Sequence, residues 1–505
     1  MSAADRMRAT LEAVLEIDPA AQAIEFHRQW WSWDDLRSRK LAVEAAIARA
    51  GLGGEVRVGV VLRNRPEIVA AVLATVTTMR CLVTLNPTLP DAALAADIER
   101  LEIPVIIASS VDWARDEVRA AALASGALCV AISDALDDGV EVLQQFAPDR
   151  AGGFRTLAED IAVEMLTSGT TGPPKRIPLK RSRFAQSVLG AANFEAGRSQ
   201  DDTPRLRSGT QLLLAPFGHI GGLVALLNAL LAGRKACLLE KFTVNEFHDA
   251  VKRHRPKVVQ TPPAGLAMVL AAGIPKEDLS SLAAYRTGAA PLDPALADEF
   301  WQTYGIPVLQ NYGATELGGI AGWTLNDFKA YWPEKRGAVG RLNPGVEARI
   351  ASAETGEVLA PGEAGILQLR GSQVGDRETW LTTTDLAALD ADGFLWIKGR
   401  ADAAIIRGGF KIQPEYVAAA IERHPAIHEA AVVGMPDRRL GQVPVAAYSL
   451  KPDAEAPQAD ELRSYLRETL LPYQVPTEFI QVDALPRTAS MKVSLQQVRA
   501  LFEWT

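Results

Sequence analysis

The chain has 505 residues, of which 48% are hydrophobic and 23% charged, a composition that excludes a disordered chain, a fibre and a coiled-coil rod. Its 53 Lys and Arg residues against 61 Asp and Glu residues give a formal net charge of −8, which excludes a general electrostatic attraction to nucleic acid. Cys81, Cys129 and Cys237 form no CxxC pair, so we expect neither a disulfide framework nor a cysteine zinc site, and we expect a cytoplasmic location.

The N-terminal third of the chain alternates between helix and strand signals. Charges run through the first turns, which predicts an amphipathic helix rather than a signal peptide. Beyond it we predict strands and helices at Val56–Leu62, from Glu67, at Cys81–Leu85, at Asp91–Leu101 and at Pro104–Ala108. Fully apolar strands separated by helices indicate a parallel or mixed sheet that is covered on both faces.

The same alternation returns in the middle of the chain. We predict a second set of strands and helices at Leu212–Ala215, beyond Gly222, at Ala236–Leu239, at Val244–His254 and at Val258–Gln260. The longest apolar stretches, Ile68–Val76 and Leu223–Leu231, are shorter than the roughly twenty residues that a membrane span requires, so we predict buried helices there.

The pattern changes after Arg341. Short alternating strands separated by turn residues predict a small antiparallel β module, with strands at Val346–Ile350, Gly365–Arg370 and Phe394–Ile397. Beyond Arg400 the sequence predicts a separate domain of about a hundred residues, with elements at Pro414–Arg423, Ala430–Val433, Ala446–Leu450 and Gln458–Thr469, and a last helix from Ser494.

The most distinctive stretch is Leu166–Arg176, LTSGTTGPPKR. Every residue from Thr167 to Gly172 is glycine or a small hydroxylated residue, so backbone N–H groups and hydroxyls can face one anion, as in a phosphate-binding loop. The stretch is not a Walker A motif, because Pro173 and Pro174 precede Lys175 and prevent a helix there. On composition alone, a flexible surface loop is an equally good interpretation.

The string Ser-Gly-Thr-Thr-Gly-x-Pro-Lys closely resembles the signature of the adenylate-forming superfamily, which contains acyl-CoA synthetases, peptide-synthetase adenylation domains and luciferases. Further segments that resemble family motifs follow in the family's order, so that the resemblance covers nearly the whole chain: Ala215–Gly222, Thr287–Pro291, Asn311–Gly318, Thr382–Leu386, Gly399–Asp402, Gly408–Ile412 and Pro486–Val493.

The resemblance implies an α/β fold in two parts. Residues 1–399 would form a large AMP- and acyl-binding domain made of two α/β sheet subdomains and a small β-barrel-like module. Residues 400–505 would form a small, mobile α+β lid that rotates about a hinge near Asp402.

The resemblance also implies a nucleotide site. Tyr312 would stack on adenine, Thr315 would bond the α-phosphate, Asp385 would bind the ribose hydroxyls, Arg400 would reach ribose or phosphate, and Glu316 would bind Mg²⁺. An aromatic ring suits a base face, and a carboxylate is a hard oxygen ligand that suits Mg²⁺. The implied ATP- and AMP-binding set is Thr167, Ser168, Gly169, Thr170, Thr171, Gly172, Lys175, Gly288, Ala289, Ala290, Asn311, Tyr312, Gly313, Thr315, Asp385, Ile397, Arg400 and Lys492.

The acyl side of the implied site centres on His219. A lone histidine among apolar residues is more often a core residue, but its place between the phosphate loop and the next motif favours a role in the pocket. In the family this side chain packs on the carboxylate substrate. The candidate acyl-binding residues are neutral and mostly apolar, which favours an uncharged fatty, aryl or polycyclic acid: Phe217, His219, Ile220, Ala264, Met268, Ala289, Ala290, Ala314 and Ile320.

The lid carries the last implied functions. Lys492 takes the position of the family's catalytic lysine, and with Thr315, Glu316 and His219 it makes up the implied catalytic set. The implied tunnel for the pantetheine arm of CoA is lined by Gly408, Gly409, Phe410 and Lys411.

Two glycines of the family pattern are replaced in this chain. Thr384 stands in place of the glycine in Thr-Gly-Asp, and Met491 stands in place of the glycine before the lysine. Both departures lie next to residues that the resemblance places in the site.

These motifs predict an ATP- and Mg²⁺-dependent acid–CoA ligase that forms an acyl-adenylate and pyrophosphate and then transfers the acyl group to CoA. An enzyme that loads a carrier protein or performs only one half-reaction stays open as an alternative. So does a catalytically silent nucleotide-binding regulatory protein. The expected partners are a small carboxylic acid and CoA, without nucleic acid or a transmembrane segment, and a homodimer is left open.

Overall fold

In the computed structural model, residues 1–133, 139–149, 153–167, 175–190, 203–315, 317–371, 374, 378–401, 403–407, 410–437, 439–488 and 491–502 are described. Among them, none of the helices combines the length and the apolar character needed to cross a bilayer. The helices are α1 Ala3–Ile17, α2 Trp33–Arg49, α3 Pro66–Val76, α4 Asp91–Leu101, α5 Ser110–Trp113, α6 Asp116–Ala124, α7 Arg181–Gly190, α8 Ile220–Leu231, α9 Val244–His254, α10 Pro263–Ala271, α11 Pro294–Tyr304, α12 Leu325–Tyr331, α13 Pro414–Glu422, α14 Ala459–Arg467 and α15 Leu495–Ala500.

The strands are β1 Gln22–Phe26, β2 Gln29–Ser32, β3 Arg57–Val61, β4 Cys81–Leu85, β5 Val105–Ser109, β6 Leu128–Ile132, β7 Val140–Gln144, β8 Ile161–Thr167, β9 Lys175–Lys180, β10 Arg207–Leu213, β11 Arg234–Leu238, β12 Val258–Thr261, β13 Ala284–Thr287, β14 Val308–Ala314, β15 Gly318–Gly322, β16 Gly340–Leu342, β17 Glu347–Ala351, β18 Ala364–Arg370, β19 Leu381–Leu389, β20 Phe394–Arg400, β21 Ile405–Arg407, β22 Phe410–Ile412, β23 Ile427–Asp437, β24 Gly441–Leu450 and β25 Glu478–Gln481.

The first sheet is the predicted mixed sheet of the N-terminal third. It has seven strands in the order β7-β6-β5-β3-β4-β8-β9, and its central strands run parallel. Every residue of β3, β4, β5 and α3 is buried, because these continuous apolar runs are covered on both sides. The predicted bounds of β4 and α4 agree with those of the structure.

The middle of the chain differs from the predicted second repeat, because its strands are divided between two sheets. β10 and β11 join the N-terminal hairpin in a four-stranded sheet of order β10-β11-β1-β2, in which Ile24 pairs with Ala236. The sequence analysis did not predict β1 and β2. β12 instead begins a different sheet.

That sheet has nine strands in the order β12-β13-β14-β15-β16-β20-β19-β18-β17. β14 pairs in parallel with β13 through its first residues and antiparallel with β15 through its last ones. The predicted antiparallel module therefore continues an open sheet and does not close into a barrel. This arrangement places the ends of β12 and β13, the turn after β13 and the whole of β14 side by side.

The C-terminal residues build a sheet of their own from Ile405 onward. Its order is β22-β21-β24-β23, and β25 pairs in parallel with β24. One apolar cluster lies under α13 and α14, and another lies between the sheet and α15. This C-terminal sheet and the three sheets of the preceding residues give the mixed α/β architecture that the sequence predicted.

Candidate active site

The hairpin of β8 and β9 carries the predicted phosphate loop. Thr167 pairs with Lys175 at the end of the hairpin, and residues 168–174 between them lie outside the described residues. The predicted ligands Ser168, Gly169, Thr170, Thr171 and Gly172 therefore have no described position. Of Thr167 and Lys175 only the backbone is described, so the structure fixes both ends of this loop.

A buried arginine holds the base of this hairpin. Arg176 Nη1 donates to the backbone oxygen of Thr84 at 2.9 Å, and Nη2 donates to Asp97 Oδ2 at 2.5 Å. Burial lowers the pKa of Arg176, and the neighbouring Asp97 carboxylate opposes that shift. The guanidinium thus joins β9 to β4 and α4, and it does so next to Lys175.

A second buried ion pair fixes the same hairpin from the other strand. Arg57 Nη2 contacts Glu164 Oε2 at 2.6 Å, and Arg57 Nε donates to Glu164 Oε1 at 2.8 Å. The Thr84 hydroxyl bridges to β8, accepting from the Leu166 N–H at 3.1 Å. The hairpin therefore reaches the loop in one fixed direction.

Two of the predicted nucleotide motifs meet at the ends of β13 and β14. A Cβ atom at Gly288 would lie 1.8 Å from Asn311 Oδ1, so only glycine allows the turn after β13 to approach the Asn311 side chain. Ala289 in this turn has φ = 68°, in the left-handed region that alanine rarely adopts. Such strained backbone often marks a functional site.

The predicted adenine and ribose residues are in direct contact. The Tyr312 hydroxyl donates to Asp385 Oδ2, which joins β14 to β19. Asp385 pairs across the ladder with Arg400 of β20. Thr315 lies at the turn after β14, whereas Glu316 lies outside the described residues.

Thr384, the first departure from the family pattern, has an ordinary extended backbone conformation. Thr384 lies within β19, and its carbonyl accepts from the Ala401 N–H at 2.7 Å. Extended backbone of this kind suits threonine. Ile397 of β20 pairs with Ala387 of the same strand pair, two residues from Asp385.

His219 is the N-terminal cap residue of α8. Its position depends on Gly222, since a Cβ atom there would lie 2.1 Å from the carbonyl oxygen of Pro216. Burial and, as a smaller contribution, the positive charge of Lys492 lower the pKa of His219 to about 4. The histidine is therefore neutral at physiological pH.

The structure separates the predicted acyl-binding residues into different environments. Phe217 and Ile320 are fully buried in two different apolar clusters. Met268 is 42% exposed on α10, while Ile220 and Ala264 are half-buried. Ala289 is exposed in the turn after β13, and Ala290 and Ala314 are half-buried.

Lys492 lies in a short turn before α15. Burial lowers the pKa of its ammonium group. Met491 has φ = 63°, a conformation that glycine adopts freely and that a side chain disfavours. The sequence departure therefore changes the side chain and leaves a strained residue beside the lysine.

The remaining lid residues are only partly described. Asp402, Gly408 and Gly409 lie outside the described residues, and only the backbone of Lys411 is described. Phe410 is 57% exposed and stacks on Tyr473 with ring centroids 4.6 Å apart. The structure thus places Phe410 on the surface of the C-terminal part.

Sequence reasoning missed the anchors of these segments. Asp97 occupies a position on the apolar stripe of α4, together with Leu94, Ile98 and Leu101, and a charge on such a stripe indicates a buried partner. Arg176 gives no comparable signal, because its partners Thr84 and Asp97 come from other elements.

Comparisons with known proteins place the chain among acid-activating enzymes. Residues 11–376 match the family described as AMP-binding enzyme, and residues 416–492 match the AMP-binding enzyme C-terminal domain. The chain is 27% identical to a long-chain-fatty-acid–CoA ligase of Bacillus subtilis (96% of this chain, 93% of the relative) and 27% identical to 4-coumarate–CoA ligase 3 of rice, Oryza sativa subsp. japonica (93% and 87%). The crystal structure of ATP-bound MatB from Rhodopseudomonas palustris superimposes with a TM-score of 0.82 at 26% identity, covering 100% of this chain and 99% of that one.

Proposed function

This chain belongs to the AMP-binding enzyme family and is an AMP-forming acid–CoA ligase, and on that premise we propose that its substrate is a hydrophobic carboxylic acid, either fatty, aryl or polycyclic. The acid would be activated as an acyl-adenylate with release of pyrophosphate, and the acyl group would then pass to CoA. The proposal includes a joint near residue 400 between the large domain and the lid.

The observation that carries the proposal is the meeting of the residues assigned to the nucleotide, in which the Tyr312 hydroxyl donates to Asp385 and Asp385 pairs with Arg400 across the ladder. Lys492, from the C-terminal part, adds a cation whose charge contributes to the lowered pKa of His219 at the start of α8. A cation brought into the site by a separate domain suits a reaction in which negative charge develops between a carboxylate and a phosphate. A purely structural surface lysine would lie in solvent instead.

The first step follows from that placement. The carboxylate oxygen attacks the α-phosphorus of ATP, the new P–O bond forms as the bond to the β-phosphate oxygen breaks, and pyrophosphate leaves. Lys492 and Thr315 would stabilise the developing charge, since phosphoryl transfer depends mainly on positioning and electrostatics. Tyr312 and Asp385 would hold the adenosine, and Arg400 would assist from the neighbouring strand.

The donors around the nucleotide residues suit Mg²⁺ bound with ATP. The Thr315 hydroxyl, the Asn311 amide oxygen and the Asp385 carboxylate are oxygen donors, the type that Mg²⁺ prefers. Glu316 would hold the ion, which neutralises phosphate charge. His219 would pack on the acid as a neutral group, because its pKa of about 4 keeps it uncharged.

The apolar character of the acid is supported by the acyl-side elements. α8, which follows its cap residue His219, has the sequence IGGLVALLNALL and carries no charged residue. The other acyl-side candidates are neutral as well. The two curated relatives are named for a long-chain fatty acid and for 4-coumarate, which both carry a carboxylate on a large apolar body.

In the second step the CoA sulfur attacks the acyl carbonyl, the C–S bond forms, the bond to AMP breaks, and the thiol proton passes to solvent. Rotation of the lid would remove Lys492 and bring the segment around Phe410 to the site. The exposure of Phe410, which stacks on Tyr473, supports this, because an apolar ring held at the surface is available to cover another surface.

The test is an acid panel assayed in two ways. Fatty acids of graded length, aryl acids and polycyclic acids are supplied with ATP and Mg²⁺, and pyrophosphate exchange and acyl-CoA formation are both measured. We expect both activities with at least one hydrophobic acid and little activity with short dicarboxylic acids. Exchange without transfer to CoA would indicate a carrier protein as acceptor, and ATP binding without exchange on any acid would contradict the proposal.

A further inference from the structure

We propose that Arg487 is a positioning residue that places Lys492 for adenylation and has no part in thioester formation. The inference rests on the proposed function, in which Lys492 acts only in the first step. It concerns residues 487–488 and 491–493 around Lys492, which are called here the lysine turn.

Arg487 joins the lysine turn to the lid sheet. Its Nη1 donates to the carbonyl oxygen of Met491 at 2.8 Å. Its Nη2 donates to both carboxylate oxygens of Glu429 in β23, each at 2.6 Å. One guanidinium therefore connects a fixed strand to the peptide group that links Met491 to Lys492.

The rest of the lysine turn is closed by backbone hydrogen bonds. The Thr488 N–H donates to the Lys492 carbonyl at 2.8 Å, and the Met491 N–H donates to the Thr488 carbonyl at 2.9 Å. Arg487 and Val493 form an isolated antiparallel bridge below them. These bonds set the shape of the turn, whereas the bond from Arg487 sets its direction relative to β23.

An external support is needed here because the turn contains strained backbone. Met491 has φ = 63°, which a side chain disfavours, and the turn gains by leaving that conformation unless another contact opposes it. The Arg487 guanidinium holds the Met491 carbonyl and so opposes that relaxation. Rotation of this peptide would swing the Lys492 side chain away from His219.

The two half-reactions separate this role from a general structural one. Removing the donors in Arg487→Met should lower acid-dependent pyrophosphate exchange about 10²-fold, the loss typical of a misplaced catalytic group, with a changed kcat and a nearly unchanged KM for ATP. Conversion of a synthetic acyl-adenylate and CoA to thioester should stay within twofold. Arg487→Lys, which keeps the charge and one donor, should recover part of the exchange.

Arg463 offers a matched control in the same lid. It is 29% exposed against 30% for Arg487, and it also joins a carboxylate, Asp460 at 2.7 Å, to a backbone oxygen, that of Thr477 at 2.8 Å. Arg463→Met should leave both half-reactions within twofold. Glu429→Gln, which keeps the shape of the anchor but weakens it, should reduce exchange by less than Arg487→Met.

Several outcomes would overturn the inference. They are unchanged exchange in Arg487→Met, equal loss of both half-reactions in a variant that keeps the circular dichroism of the unmodified enzyme, or the same loss in Arg463→Met. If Arg487→Met does not fold, the test is made with Glu429→Gln and Arg487→Lys. The inference is contradicted if neither variant loses pyrophosphate exchange selectively, that is, more than it loses thioester formation. Absence of exchange in the unmodified enzyme on every acid would refute the proposed function instead.

Discussion

The hairpin of β8 and β9, next to Lys175, and the lysine turn, around Lys492, are held in contrasting ways. At the hairpin, Arg176 and its partner Asp97 have side chains that are 11% and 8% exposed. At the lysine turn, Arg487 and Glu429 are 30% and 26% exposed. Both arginines fix the backbone next to a lysine, but one does so inside the large domain and the other near the lid surface.

The difference in burial indicates a difference in task. A buried ion pair cannot lose one partner without leaving an uncompensated charge, so the hairpin keeps its direction whenever the domain is folded. A half-exposed pair contributes little to stability and mainly selects a conformation. That suits the proposed rotation, in which the C-terminal part would present Lys492 in one step and withdraw it in the next.

The largest effect is expected at the lysine itself. Lys492→Ala should lower pyrophosphate exchange by roughly 10²–10³ or more, because it removes the cation that faces the developing phosphate charge. Thioester formation from a synthetic acyl-adenylate should persist. Rapid-quench assays of the two half-reactions check this, and an equal loss in both would remove Lys492 from the first step.

The next effect tests the burial contrast directly. Asp97→Asn keeps the shape of the side chain but leaves Arg176 buried without its counter-charge, which should lower the free energy of unfolding by about 3–5 kcal/mol. Glu429→Gln should cost at most about 1 kcal/mol.

Urea unfolding followed by circular dichroism is the suitable measurement, since this signal reports on the helices and strands of both parts of the chain. Asp97→Asn should shift this signal to lower urea, and Glu429→Gln should leave it nearly unchanged. Equal shifts in the two variants would show that burial does not distinguish the two anchors.

Much of the fold could be predicted because its signals are local. Continuous apolar runs marked β3, β4 and β5, and the 3.6-residue pattern marked α4 and α9 with the bounds that the structure has. The place of β1 beside β11 could not be predicted in this way. The two strands lie more than two hundred residues apart, as the pairing of Ile24 with Ala236 shows, and no local pattern carries that information.

The candidate site shows the same limit. Motifs identified Tyr312 and Asp385, which the structure brings into contact. They could not identify Arg487 as the partner of Glu429, because 58 residues separate the two in the chain. The sequence did show that Met491 replaces a glycine, but only backbone geometry shows that the methionine adopts a conformation that glycine favours.

The stability of the region around the Arg487–Glu429 pair should also depend on pH, through the neighbouring carboxyl group of Glu422. Burial raises the pKa of Glu422 from 4.5 to about 7, with Glu429 and Asp293 adding to the shift and the hydrogen bond from the Ala430 N–H opposing it. The folded state therefore holds the Glu422 proton more tightly than the unfolded state does. The stabilising contribution of the protonated carboxyl group is complete below pH 4.5 and is lost as the pH rises to about 7.

Glu422→Gln keeps an acceptor for Ala430 and removes the titration. We therefore expect that the variant gains protection from hydrogen exchange in β23 relative to the unmodified enzyme as the pH rises from 5.5 to 8. Glu455→Gln, an exposed substitution in the same lid, is the control. A difference that does not change with pH would contradict the assignment.

The smallest effect compares the strained backbone on the two sides of the site. Met491 of the lid and Ala289 of the large domain both have left-handed φ, 63° and 68°. Substitution by glycine removes a strain of roughly 1–2 kcal/mol but raises the entropic cost of folding by roughly 0.5–1 kcal/mol, so the net gain in stability of each variant should lie between about 0 and 1.5 kcal/mol. In Met491→Gly the Arg487 bond to the carbonyl persists, and pyrophosphate exchange should fall by a few-fold at most. Thermal unfolding and exchange rates measured on both variants check this, and a large loss of exchange in Met491→Gly would show that the methionine side chain, rather than the Arg487 guanidinium, directs the lysine.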